Sequence, residues 1–291
     1  MKTNILLVLL FVIKSFCSSA QNDLYFLSAT TGAACQQVEL NGNYLYSGTG
    51  TTLRVYDVSQ GIPPYPMLFE FRCRSFITDL QLHDNNLYMA ANHDGIFKWD
   101  ISNPSHPELT WQYLPQENGE ATHDLSFFGD TVLSASNKMV VIVKDNGNDF
   151  QRLGSFGTLT GNGFISGGDV KDNIYAYTVG RNNTGDGVYL IHLLNLDQLS
   201  YFPQTFCDPE NVVFGKNTDL LHVLGGTQNY ANPLDPRGLF YSLDISEVSD
   251  PVEVFRDTIE GFTGFAIANA RNAVNLNDTI YVVTTAGLGP G

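Results

Sequence analysis

Short runs of alternating or wholly apolar residues, each closed by a polar turn, cover nearly the whole chain. The clearest stretch spans 76–115, FITDLQLHDNNLYMAANHDGIFKWDISNPSHPELTWQYLP. Four strands are predicted there: A over 77–82, B over 86–91, C over 95–101 and D over 109–114. Strand C alternates Ile96, Lys98 and Asp100 against Phe97, Trp99 and Ile101, the period of two expected of a strand with one buried face. Strand A is short and partly polar. No stretch shows the 3.6-residue period of a capped amphipathic helix, so an all-β chain is expected.

The pattern then recurs. A polar turn followed by an aromatic or aliphatic run appears as GNYLYSGTG at Gly42, DNNLYMAAN at Asp84, GDTVLSASN at Gly129, DNIYAYTVG at Asp172, NTDLLHVLGG at Asn217 and NDTIYVVTTAG at Asn277. Its anchors Tyr46, Tyr88, Leu133, Tyr177, Leu221 and Tyr281 lie 42, 45, 44, 44 and 60 residues apart. Four strands per unit at this spacing is the signature of a β-propeller blade. The units run 35–74, 75–119, 120–161, 162–207 and 208–260, the fifth stretched by QNYANPLDPR at 228–237. A sixth begins near Gly261. Five complete blades and a partial sixth are therefore expected, in a domain over 21–291. The last unit stops after its strand B, which predicts a C-terminally truncated reading frame, with 23–29 (DLYFLSA) able to supply a strand to the final blade.

The end of strand C is the most specific part of the repeat. It reads LRVYDVSQGIPPYP from Leu53, IFKWDISNPSHP from Ile96 and LFYSLDISEVSDP from Leu239. Together with TDLQLHDNNLYMAA from Thr78, these segments resemble the LVIVD repeat. Units two and five match best; unit three keeps only Asp145 of the corner, and unit four has Asn195 in its place. The resemblance implies a propeller scaffold of the kind found in exported bacterial proteins, whose members generally have no assigned activity.

Composition narrows the setting. Residues 1–4 carry Lys2, residues 5–13 are an unbroken apolar run, and Ser18-Ser19-Ala20 offers small residues for cleavage before Gln21. A signal peptide over 1–20 is predicted, the apolar run being too short to span a bilayer. The expected location is periplasmic, cell-surface or extracellular, with no membrane span after cleavage. Fifteen Lys and Arg against thirty Asp and Glu give a net charge of −15, which repels nucleic acid and anionic membranes. Cys35, Cys73 and Cys207 remain after cleavage, an odd number that makes no disulfide framework. One pair with a free thiol and three buried thiols are both open.

Candidate chemistry falls at four places. Asp57, Asp100 and Asp244, each closing a strand C, suit turn construction, the carboxylate accepting backbone N–H groups. A second repeated polar position lies in strand A: Gln37, Asp79, Asp124, Asp169, Asn211 and Asn272. Asp79, Asp124 and Asp169 could converge to hold calcium through oxygen ligands, or bond the backbone of the neighbouring blade. The long B–C and D–A connections share one face of such a blade, and would present Arg181, Asn183, Asp186, Asn229, Tyr230, Asp235 and Arg237 as a binding surface. His93-Asp94 and His123-Asp124 approach that face from adjacent blades, whereas His83 and His106 fall on the opposite one.

The expected function is a non-enzymatic binding module engaging a protein or glycan partner through the B–C/D–A face, without a cofactor unless calcium binds. The alternative is a propeller hydrolase or lyase acting on polysaccharide, with Asp124, His123, His93 and Asp79 as acid–base groups. No nucleophile elbow, phosphate loop or H-E-x-x-H motif is present.

Overall fold

The structure is a computed structural model. It describes residues 35–288 apart from 62–63, 118–119, 158, 160–162, 181–184, 204–207, 227–237, 260–265 and 277–278, with side chains undescribed at 35–36, 208, 226, 238–239, 258–259, 266–276 and 279–288. Every element among these residues is a strand. The first blade is β1 (Cys35–Asn41), β2 (Tyr44–Thr49), β3 (Thr52–Asp57) and β4 (Met67–Arg72); the second is β5 (Asp79–His83), β6 (Asn86–Ala90), β7 (Ile96–Asp100) and β8 (Glu108–Tyr113). The third is β9 (Thr122–Phe128), β10 (Thr131–Ser136), β11 (Val140–Asp145) and β12 (Phe150–Phe156). The fourth is β13 (Phe164–Lys171), β14 (Ile174–Gly180), β15 (Gly187–His192) and β16 (Gln198–Pro203), and the fifth β17 (Asp208–Phe214), β18 (Leu220–Gly226), β19 (Gly238–Asp244) and β20 (Val252–Ile259). A two-stranded sheet, β21 (Ala266–Leu276) and β22 (Thr279–Leu288), follows.

Each four-stranded sheet is an antiparallel meander in sequence order, and the first strands β1, β5, β9, β13, β17 and β21 lie side by side in succession. Five four-stranded blades around an inner row of strands A are a β-propeller, as the repeat predicts. Local chemistry sets the hairpins. The first residue of the A–B turn has φ near +55° in four blades (Gly42, Asp84, Gly129, Asp172), a conformation open to Gly and tolerated by Asp. Gly95 is compelled more strongly: at φ +82° a Cβ would lie 1.9 Å from the Tyr113 carbonyl oxygen.

The expectation of one buried face fails for the middle strands. In β7, Ile96, Phe97, Lys98 and Trp99 are all buried. The reason is face-to-face stacking of blades. Phe97 and Trp99 pack with Tyr46, Leu53, Val55, Phe69 and Phe71 of blade one, while Ile96 packs with Leu125, Val132, Val141 and Val143 of blade three. Phe71 meets Trp99 edge-on at 4.7 Å, the geometry aromatic quadrupoles favour. Exposure is left to the outer strands, where Leu109, Trp111, Val252 and Val254 face solvent.

Candidate functional site

The repeated polar position of strand A is an inter-blade tie. Asp79 accepts Leu80 N–H at 2.8 Å with one oxygen, and with the other accepts Leu125 N–H of blade three at 2.9 Å. Asp124 accepts Gly168 N–H of blade four at 2.9 Å. Asp169 accepts its neighbour Val170 N–H and, at 2.8 Å, Phe214 N–H of blade five. In blade five the position is Asn211, whose amide oxygen makes the same local bond to Val212 N–H at 2.7 Å. Thr78, Ser126 and Ser166 add hydroxyl bonds to the carbonyls of Thr122, Gly168 and Pro209 on the next inner strand. Close approach is possible because Gly167 and Gly168 carry no Cβ. A Cβ at Gly167 would sit 2.6 Å from the Asn211 amide oxygen, and one at Gly168 2.2 Å from the Tyr175 hydroxyl.

Burial dominates the electrostatics of this row. It pushes the Asp79 carboxyl well above its ordinary value, with Asp124 nearby adding repulsion. Asp124 rises to about 7 and Asp169 to about 6, again through burial and against the lowering effect of their backbone donors. Raised carboxyls are what an acid catalyst needs, but such a group must also reach substrate. Asp79 is 0% exposed and Asp124 8%. Among the described residues no three His, Cys, Asp or Glu side chains are grouped so as to hold a metal ion.

The B–C/D–A face is braced rather than loose. In the second B–C loop, Asp94 accepts the N–H groups of Arg74 and Ser75 in the preceding D–A connection at 2.6 and 3.1 Å, and Asn92 bridges to Thr122 at the start of β9. His93 lies between them, exposed. His123 follows Thr122 on the same face, but its Nε2 is bonded to the Asn137 amide oxygen and its ring packs on Phe164 at 4.8 Å. Lys138 in turn donates to the Gly163 carbonyl at 2.6 Å, fastening the third B–C turn to the next connection. In blade four a tyrosine ladder supports the loop edge: Tyr189 and Tyr201 donate to the carbonyls of Gly185 and Asp186, each at 3.0 Å. The Asp186 residue is buried. Arg181, Asn183, Asn229, Tyr230, Asp235 and Arg237 lie outside the described residues, as do Cys207 and the segment 1–34. The Cys73 thiol is free and buried, its one S–H shared between the Thr51 and Ser75 carbonyls at 3.1 and 3.0 Å, and burial lifts it to about 11.

The opposite face holds the expected corner turns and one node that the sequence pattern did not single out. At every strand C end an Asx turn forms: Asp57 accepts from Ser59 N–H, Asp100 from Ser102, Asp145 from Gly147, Asn195 from Asp197 and Asp244 from Ser246. Asp145 does more. Its second oxygen takes Lys98 Nζ at 2.7 Å and the Tyr88 hydroxyl at 2.5 Å, both from blade two. Burial pushes the Asp145 carboxyl up, yet the bonds from Lys98, Tyr88 and Gly147 outweigh it and hold it below the ordinary value. The signal available in the sequence was Lys98 itself, a charge in mid-strand between Phe97 and Trp99. The node opens into a cleft of about 220 Å³ between the A–B turns of blades two and three and the third C–D turn.

Comparison with known proteins agrees with this architecture. The LVIVD repeat model matches residues 78–114. Among solved structures, the computationally designed Ika8 protein superposes with a TM-score of 0.59 at 17% identity, over 88% of this chain and 70% of that one. The designed Ika4 protein gives 0.45 at 19% identity, over 58% of this chain and 98% of its own. None of the curated proteins matches. Among the described residues no helix is long and apolar enough to cross a membrane. Residues 78–114 are an LVIVD repeat, and the chain is a β-propeller with that repeat as its second blade.

Proposed function

We propose that this protein is an exported, non-enzymatic binding module that engages a protein or glycan partner through its B–C/D–A face. The observation that carries the reading is the use made of the inner carboxylates. Asp79, Asp124 and Asp169 spend their oxygens on backbone N–H groups of the next blade, so the groups best suited to acid–base work act as struts. His123 is committed to Asn137 in the same way. What this leaves for recognition is a rigid frame with loops on one face, where Asp94 and Asn92 hold exposed His93 in place.

The test uses the full chain on a glycan array and in binding assays against purified envelope proteins. His93→Ala and replacement of 181–184 by a short Gly-Ser turn should each weaken retention at least tenfold, while Asp124→Asn should not. Release of reducing ends from any polysaccharide on the array would overturn the reading. Export is checked separately by mass spectrometry, with Gln21 expected at the mature N-terminus.

A further inference from the structure

We propose that the cleft between blades two and three, on the A–B/C–D face, is a binding site for one neutral sugar residue. This site is independent of the face proposed above.

Three features of the cleft select its ligand. The first is size. At about 220 Å³ it lies below the roughly 300–1,000 Å³ of sites for drug-sized ligands, so it takes one ring and not a chain. The second is charge. Asp84, Asp130 and Asp145 line it with Lys98 as the one lining cation, a formal net of −2 that Lys144, paired with Asp130 at 3.5 Å, reduces to −1, and the whole chain carries −15. An anionic sugar is repelled. Lys98 and Asp145 neutralise each other at the floor, so no unpaired buried charge is left for a cationic ligand to compensate.

The third feature is the mixture of groups. His83 stacks on Phe127 with centroids 4.2 Å apart and planes within 6°, and Tyr88 meets Phe127 edge-on at 4.8 Å. These rings give an apolar wall for the C–H face of a pyranose. Around them stand both kinds of hydrogen-bonding group that a polyol needs. Asp84 and Asp130 accept and are largely open to solvent, at 84% and 63% side-chain exposure. Lys98 and Asn86 donate; the ammonium spends two bonds on Asp145 and the Gly147 carbonyl out of three protons. The wall is also pre-set: His83 Nε2 is bonded to the Gly129 carbonyl at 3.1 Å, and Asp145 fixes Tyr88 and Gly147 together. Convergent polar groups on a rigid, partly aromatic wall are the pattern of a small-molecule site.

The experiment is saturation-transfer NMR on the full chain with glucose, galactose, mannose and N-acetylglucosamine, and with glucuronate and glucosamine as charged controls. At least one neutral sugar should show transfer, and glucuronate none. Asp84→Gly, which suits the positive φ of that turn, with Asp130→Ala, both at exposed positions, should weaken that binding at least tenfold while the thermal midpoint stays within error. His93→Ala on the other face should leave it unchanged. The proposal is overturned if no neutral sugar binds, if glucuronate or glucosamine binds more tightly, or if His93→Ala removes the signal and the double variant does not.

Discussion

Two sets of aspartates recur in this propeller, and both accept backbone N–H groups, yet they are electrostatic opposites. At the C–D corners, Asp57, Asp100 and Asp244 are half-exposed at the surface, and the serine two residues on holds each below the ordinary carboxylate value. In the inner row, Asp79, Asp124 and Asp169 make bonds of similar length and are raised instead. A serine hydroxyl adds a bond at the corners, but the backbone N–H groups common to both sets do not decide the sign. Desolvation does: taking a carboxylate out of water costs more than one or two N–H dipoles return. Asp145 separates the two causes, because it is buried but has Lys98 beside it, and it falls with the corners.

The largest predicted effect tests that exception. Asp145→Ala strands Lys98 in the interior and should cost about 3–5 kcal/mol in urea denaturation. Asp100→Ala, at the same turn position in blade two, should shift the midpoint far less. Lys98→Met combined with Asp145→Asn, which keeps an acceptor for Gly147 N–H, should recover most of the loss. Equal losses for Asp145→Ala and Asp100→Ala would mean that the corner turn matters and the buried pair does not.

Next comes the inner row. Asp124→Ala orphans the buried Gly168 N–H and should cost about 1–3 kcal/mol. Asp124→Asn keeps that bond and should be near wild type at neutral pH. Asn211 already makes the local bond with an amide. A loss in the Asn variant as large as in the Ala variant would show that the ionised carboxylate itself is required.

The pH dependence sharpens the same contrast. An inner-row carboxyl with a folded value above its unfolded one favours the protonated native state, so its contribution is full below 3.8 and is lost as pH rises through about 7 for Asp124. The corner aspartates and Asp145 run the other way, losing theirs as pH falls below the ordinary carboxylate range. Stability should therefore peak on the acid side of neutrality and decline toward pH 8. Asp124→Asn should flatten the alkaline limb only. A wild-type curve flat from pH 5 to 8 would contradict the assignment. The smallest effect is on stability at the loop face: His93→Ala should change it by less than about 0.5 kcal/mol, even where it weakens binding.

Much of this was legible in one dimension. Strands β5 to β8 fall within two residues of the positions their alternation predicts, and the corner aspartates announce themselves through the Asp-Ser and proline pattern. The inner row was legible as a position but not as a role, since calcium ligation and backbone bonding ask for the same residue type. The Lys98–Asp145–Tyr88 node was not legible, because its members are 47 and 57 residues apart along the chain and belong to different blades.

The sequence by itself determined the blade. Period, turn residues and alternation are local, and a hairpin forms from its own hydrogen bonds and two-residue turn. Only the tertiary structure decided what each polar residue became. Stacking blade on blade buried both faces of β7, lifted Asp124 toward neutrality and put Asp145 against Lys98. Desolvation depends on which atoms surround a group, and in this chain those atoms come from the next repeat.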